Sequence, residues 1–221
     1  MSVLAGEKAR NIDLVDGLRS LGLSLSSDEC AKLDAYVALL AKWNRTYNLT
    51  AIREPARMVT HHLLDALAVL PHLPQRAILR VLDVGAGAGV PGIPLAIARP
   101  QWNIVLVDSN HKKVAFVTQA AIELALPNVR AIAARVEDLS GEAPFDVVIS
   151  RAFADLCTFS QLSARHVALT GHLYAMKGML PEEEIAALPQ STEVVTTSAL
   201  HVPGIDGERH LIVMRERGAS A

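Results

Sequence analysis

Residues 83–92 read DVGAGAGVPG, directly after the apolar run LRVL at 79–82. Asp83, Gly85, Gly87 and Gly89 give the spacing D-x-G-x-G-x-G. Glycines at alternate positions let a backbone turn approach a ligand closely, because no Cβ stands in the way. Three ligand classes compete for such a turn. A P-loop needs GxxxxGK[ST], and neither Lys-Ser nor Lys-Thr follows these glycines. A dinucleotide turn has a formal match, since Gly87, Gly89 and Gly92 fit GxGxxG. That turn faces a pyrophosphate, however, and gains nothing from a carboxylate at its base. A ligand carrying an ammonium and a sulfonium does gain from one. Asp83 therefore points to S-adenosylmethionine, and its place inside an apolar run argues against an idle solvated acid.

Other residues at the ends of apolar runs extend this chemistry. Asp108 closes NIVLVD (103–108), where a ribose diol is gripped in either a methyl-donor or a dinucleotide site. Glu137 and Asp138 follow VRAIAA (129–134), where an adenine ring lies in the methyltransferase version of the fold. Arg151 closes FDVVISR (145–151); a guanidinium there can hold a carboxylate or a phosphate on two donors. Lys177 closes HLYAMK (172–177) on the same side, and Arg209 with His210 stands at the turn before the last apolar run. These three are candidate RNA contacts. Lys112 and Lys113 read as a solvated helix face. His61, His62 and Asp65 offer too few ligands for a closed metal site and read as a helix-surface hydrogen bond. Trp43 and Tyr47 continue an apolar stripe and read as core or inter-domain packing, with Asn48 after them as a helix cap.

The elements that must position these groups follow from periodicity. Ser26 and Glu29 have the form of a capping box. After it Leu33, Tyr36, Val37, Leu40, Trp43 and Tyr47 repeat at helical spacing. Another helix follows Pro55, with Val59, Leu63, Ala66, Leu67 and Leu70 on one face, until Pro71 and Pro74 end it. The pattern then changes to strands at 79–84, 103–108, 129–134, 145–151 and 172–177, with helices at 111–125 and 156–168 between them. Two runs, 192–202 and 210–216, lie almost adjacent and predict an antiparallel pair. Alternating strands and helices predict a mostly parallel sheet covered on both faces, with ligands beyond the carboxyl ends of its strands. We expect a helical segment over residues 1–75 and a catalytic domain over 76–221.

Bulk properties narrow the class. A chain of 221 residues with 51% hydrophobic content can bury a sizeable core, although only 4% of it is aromatic. The net charge of -2 excludes a polybasic carpet but not a local basic patch. Two cysteines without a CxxC or a His/Cys cluster argue against a disulfide scaffold or structural zinc. The charged start lacks the apolar stretch of a signal peptide. We expect a cytoplasmic monomer without metal or membrane attachment.

The order of motifs is more specific than any of them singly. KWNRTYNLTAIREP (42–55), HHLLDAL (61–67), VLDVGAGAGVPGIPLAI (81–97), VDSNHKKVAFV (107–117), ARVEDL (134–139), ISRAFADL (149–156), YAMKG (174–178) and DGERHLIV (206–213) follow one another. This series resembles the RsmG, or GidB, family of bacterial methyltransferases acting on 16S ribosomal RNA. The resemblance implies a Rossmann-like class I methyltransferase with a seven-stranded, mostly parallel sheet, an antiparallel C-terminal hairpin and an N-terminal helical segment. It implies transfer of a methyl group from S-adenosylmethionine to N7 of a guanine in the decoding region, with 16S rRNA or the small ribosomal subunit as partner. By position, Gly85 matches the family's cofactor glycine and Val90 an apolar residue against the cofactor, here smaller than the usual Leu or Phe. Val136 and Glu137 match the pair flanking the adenine. Arg151 matches an arginine at the mouth shared by cofactor and substrate, and is the expected catalytic residue.

The residues fit that chemistry. N7 of guanine carries a lone pair and no proton, so alignment rather than a general base is required. The turn that often serves exocyclic amines, (N/D)PP(Y/F), is replaced here by SRAF at 150–153. Carbon methylation needs a cysteine nucleophile, and Cys157, in LCTFS, reads as an ordinary helix residue. Two other readings stay open at this level: an NAD(P)-dependent oxidoreductase built on GxGxxG and Asp108, and a ribosome-associated protein without catalysis.

Overall fold

A computed structural model describes residues 12–218. Its first third is helical. Helix α1 (Leu14–Ser20) starts at Asp13, whose carboxylate accepts from the Val15 N–H. Helix α2 (Ser27–Tyr47) starts at the capping box of Ser26 and Glu29 and ends at Asn48, whose φ of 50° is left-handed. Helix α3 (Pro55–Met58) runs into a π-helical turn, Val59–Leu64, and then α4 (Asp65–Leu67). A short 3-10 turn, Leu70–His72, ends the stretch at Pro71.

The rest is one seven-stranded sheet. Its strands are β1 (Arg80–Val84), β2 (Asn103–Asp108), β3 (Val129–Ala133), β4 (Phe145–Arg151), β5 (Val167–Lys177), β6 (Thr192–Ala199) and β7 (His210–Glu216). They lie in the order β3-β2-β1-β4-β5-β7-β6. The first five run parallel, and β7 inserts antiparallel between β5 and β6. The chain reverses its winding direction between β1 and β4, which opens a crevice at their carboxyl ends. Helices α5 (Gly92–Ala98), α6 (His111–Glu123), α7 (Leu156–Ser163) and α8 (Glu182–Ala186) complete the layers.

The apolar runs are continuous because both faces of the sheet are covered. Val81, Ile104, Leu106, Val147 and Ile149 face the N-terminal helices, α5 and α6, and share one core with Leu33, Tyr36 and Leu40 of α2. Leu82, Val84, Val105, Val107 and Val148 face the other way, toward Leu156 and Phe159 of α7. Trp43 packs against Phe116 of α6 and against Tyr47, with ring centroids 5.6 and 5.2 Å away. Trp43 thus joins α2 to α6, while Tyr47 is exposed. Among the described residues, no helix is long and apolar enough to cross a membrane.

Several elements differ from the sequence reading: the helix after Pro55 is interrupted by the π-helical turn, and β6 ends at Ala199 rather than at 202. Strand β5 begins at Val167 rather than His172, because the helix before it stops at Ser163 and gives way to a 3-10 turn, Ala164–His166. Helix α8 follows Pro181, where the sequence pattern predicts none.

Candidate active site

The glycine turn is held from three directions. From β1, Asp83 has no exposed surface, and its Oδ2 accepts the Gly92 N–H at 2.8 Å, pinning the first turn of α5. Its Oδ1 is buried without a hydrogen-bond partner. Burial pushes the Asp83 carboxyl up to about 7, against the opposing pull of the Gly92 N–H. From β2, Asp108 Oδ2 accepts the Gly87 N–H at 2.9 Å, while its Oδ1 accepts the Asn110 N–H at 2.8 Å. From α2, the buried Tyr36 hydroxyl donates to the Ala88 carbonyl at 2.5 Å.

Glycine is required at specific points of this turn. Gly85 has φ +67°, and a Cβ there would lie 2.6 Å from Cδ2 of Phe153. Gly89 has φ +84°, and a Cβ would lie 2.7 Å from Cγ1 of Ile93. The backbone is left bare where a ligand, or the Phe153 ring, must come close.

A cavity of about 280 Å³ opens over the carboxyl ends of β1, β2 and β3, lined among others by Gly85, Asp108, Val136, Glu137, Ala152 and Phe153. The sequence-predicted residues Gly85, Asp108, Val136 and Glu137 therefore share one concavity. Gly87 shapes it through its bond to Asp108; Val90 is buried behind the turn in the core with Tyr36. The Val136 carbonyl is held by His166 Nε2 at 2.9 Å, and the Glu137 carbonyl by the Arg165 guanidinium. These contacts leave the Glu137 carboxylate facing outward, 3.6 Å from Arg135. Lys113 reaches within 3.8 Å of Asp108 and lines the cavity rather than lying on a purely solvated face. Three larger hollows, of about 680, 690 and 370 Å³, lie at the amino end of β5, beside α6 and β3, and between α1 and Asp34 of α2. None is at the carboxyl ends of the strands, where sheets of this kind bind ligands.

The predicted cations separate. Alternation along β4 sends Arg151 to the same face as Val147 and Ile149, toward the N-terminal helices. Its Nη1 donates to the His61 carbonyl at 2.7 Å and to Asp65 Oδ2 at 3.0 Å; its Nη2 lies 3.2 Å from His62 Nδ1. Arg209 converges on the same acid, with Nε donating to Asp65 Oδ1 at 3.1 Å. Lys177 leaves β5 on the opposite face, donating to the Ala154 carbonyl at 2.9 Å and to Glu184 of α8 at 2.7 Å. His210 pairs with Lys177 across the β5–β7 ladder and contacts the Gly178 carbonyl through Nδ1 at 2.8 Å. Arg151 and Lys177 thus both close strands at the same end but do not meet.

Three features fall outside the sequence reading. His61, His62 and Asp65 form no helix-surface bond. They are buried and tie the helical segment to β4 and to the β7 entrance. The partners of Asp65 lie 86 and 144 residues away along the chain, so no local pattern announces them. Tyr36 shows in the sequence only as a member of an apolar stripe. Phe153 stands exposed at the cavity, presented by Ala152 at a left-handed φ of 56°. An apolar ring directly after a strand end is the signal for it. Among the described residues, no group of three or more His, Cys, Asp or Glu is arranged to hold a metal ion.

A family model described as "rRNA small subunit methyltransferase G" matches residues 29–212. A relative named "Ribosomal RNA small subunit methyltransferase G" from Azoarcus sp. is 51% identical over 214 residues, covering 97% of this chain and 99% of its own. One of the same name from Nitrosospira multiformis is 49% identical over 212 residues, covering 93% and 97%. Solved structures show the fold. TrmN from Thermus thermophilus has a TM-score of 0.57 at 19% identity, over 68% of this chain and 48% of its own. TYW2 from M. jannaschii, in complex with AdoMet, has a TM-score of 0.53 at 16% identity, over 69% and 74%.

Proposed function

Since the chain belongs to the rRNA small subunit methyltransferase G (GidB) family, we propose that it methylates N7 of one guanine in the decoding region of 16S rRNA, using S-adenosylmethionine. The single observation that carries this reading is the cavity at the carboxyl ends of β1, β2 and β3. It gathers a glycine turn, Asp108 and the Val136–Glu137 pair in one place. When bound there, S-adenosylmethionine supplies an electrophilic methyl group. The residues present fit such a molecule. Asp108 offers carboxylate oxygens to a ribose diol, and Val136 with Glu137 offers an apolar wall and an acceptor to an adenine. Gly85 and Gly87 offer bare backbone. Asp83 Oδ1, still without a hydrogen-bond partner, is the acceptor left for an ammonium.

The chain's own part in the reaction is alignment and exclusion of water. No general base is needed at N7, and SRAF at 150–153 places neither a carboxylate nor an imidazole after β4. We assign Arg151 to the mouth shared by cofactor and base; a guanidinium suits guanine O6 or a phosphate and leaves N7 free. We assign Lys177, Arg209 and His210 to RNA contact, with Lys177 and Arg209 each held by an acid, Glu184 and Asp65. We assign residues 76–221 to the catalytic domain, and the described helices before it, α1 to α4, close one side of it.

The test is tritiated-methyl transfer to naked 16S rRNA and to isolated small subunits, followed by mapping of the modified base. Label at a single guanine, released by the strand scission that N7-methylguanine permits, is the expected result. Label on an exocyclic amine or a carbon would overturn the N7 assignment, and binding of the subunit without turnover would favour a non-catalytic role. Lys177→Ala is expected to leave donor affinity unchanged and to reduce the salt slope of RNA binding by about one.

A further inference from the structure

The group that sets Arg151 lies outside the catalytic domain. In the π-helical turn Val59–Leu64, the Asp65 N–H bonds to the Thr60 and His62 carbonyls and skips that of His61. The His61 carbonyl is the one Arg151 takes, at 2.7 Å. The wide turn and the arginine are thus matched. The same turn aims the Asp65 side chain between two strands. One carboxylate, 5% exposed, receives Arg151 on Oδ2 and Arg209 on Oδ1. His62 stands behind Arg151, with its Nε2 2.9 Å from Thr50 Oγ1. Two guanidiniums on one acid leave a net positive charge, and both side chains remain about a quarter exposed. Both oxygens of the buried carboxylate are thereby satisfied by charge-assisted bonds. The carboxylate is shared, and it fixes the direction in which both cations present their remaining N–H groups.

We propose that Asp65 is a positioning residue for methyl transfer: it orients Arg151 and Arg209 toward the RNA, so the N-terminal helical segment contributes to the active site. The inference rests on the reading of Arg151 given above.

Asp65→Asn and Asp65→Glu test it, each with two readouts. The first is steady-state methylation of 16S rRNA, normalised to the number of donor-binding sites found by calorimetry. Asp65→Asn is expected to lower kcat at least ~30-fold with donor Kd within about threefold of wild type, and Asp65→Glu to recover at least about a third of the logarithmic loss. The second readout is NMR of arginine-labelled protein. Held guanidiniums give separate Nη resonances in the wild type, which merge in Asp65→Asn. If Asp65→Asn does not fold, Asp65→Glu decides alone, with a lowered kcat at full donor stoichiometry expected. A kcat within about threefold of wild type in the folded variants, or unchanged Nη resonances, would overturn the inference. If the wild type itself methylates no RNA, the functional reading fails, while the resonances still report on Asp65.

Discussion

The hydroxyl of Tyr36 and the carbonyl of Ala88 meet at 2.5 Å in the buried interior. The contact spans 52 residues of sequence and fastens the glycine turn to α2. Tyr36→Phe keeps the ring against Phe116 and removes the bond, leaving the Ala88 carbonyl unsatisfied. The expected cost is about 1–3 kcal/mol in urea unfolding. Donor affinity should fall with it, because the turn loses one of its three anchors. Unchanged unfolding and unchanged donor Kd would show that the turn holds itself.

Gly85 and Gly87 should respond differently to alanine. Both have positive φ, but a Cβ on Gly85 meets Phe153 at 2.6 Å, whereas one on Gly87 meets only the Gly85 carbonyl oxygen, at 3.9 Å. Gly87→Ala is expected to cost about 1–2 kcal/mol of backbone strain. Gly85→Ala should cost more, and adding Phe153→Ala should recover the difference. Thermal unfolding of the two single variants and the double variant measures this. Equal costs for the two glycines would mean that the Phe153 ring does not press on the turn.

Much of this architecture can be read in the residues themselves. The central parallel strands show because strands buried on both faces are apolar almost without interruption, as in Val81–Val84 and Ile104–Val107. Ser26 and Glu29 mark a helix start because capping is local chemistry. The start of β5 at Val167 is hidden, since ARHVALTGH has neither a strand's uniform apolarity nor a helix's stripe. The divergence of Arg151 and Lys177 follows from the two-residue period of their strands once the pairing of β4 with β5 is known. The link from Asp65 to Arg151 and Arg209 depends on tertiary docking, and nothing near Asp65 in the chain encodes it.

Asp83 predicts a pH dependence of donor binding. Burial holds its carboxyl up to about 7, so the folded protein keeps a proton there that an unfolded chain releases at about pH 4. That contribution to stability is fully present in acid and is lost as the pH rises through 7. The ionised form, which attracts a cation, gains ground over the same interval. Affinity for S-adenosylmethionine should therefore rise from about pH 6 to about pH 8. Asp83→Asn should bind the donor about tenfold or more weakly, with a flat profile, and resist urea better than wild type at about pH 8. A wild-type Kd independent of pH would remove Asp83 from the donor site.

His62 predicts the opposite slope in acid. Burial, with Arg151 beside it, pushes its imidazole down to about 3. The unfolded chain takes up a proton at about pH 6.5 while the folded protein refuses it, so stability is lost as the pH falls. Between about pH 7 and about pH 5 this group removes about 2 kcal/mol. His166 and His172 are held down by burial as well. His62→Asn should therefore retain part of the acid sensitivity and lose the rest. Urea midpoints across that range provide the measurement, and parallel curves for the two proteins would exclude His62 as the source.

The position of β7 between β5 and β6 has a consequence for how the protein is made. The last of the seven strands to be synthesised is an interior one, with Leu211, Ile212 and Met214 fully enclosed. Until it arrives, the older strands on either side display open edges, and Arg209 has not reached its carboxylate. A chain cut short before His210 would therefore leave the facing edges of β5 and β6 unpaired and the core without Leu211, Ile212 and Met214.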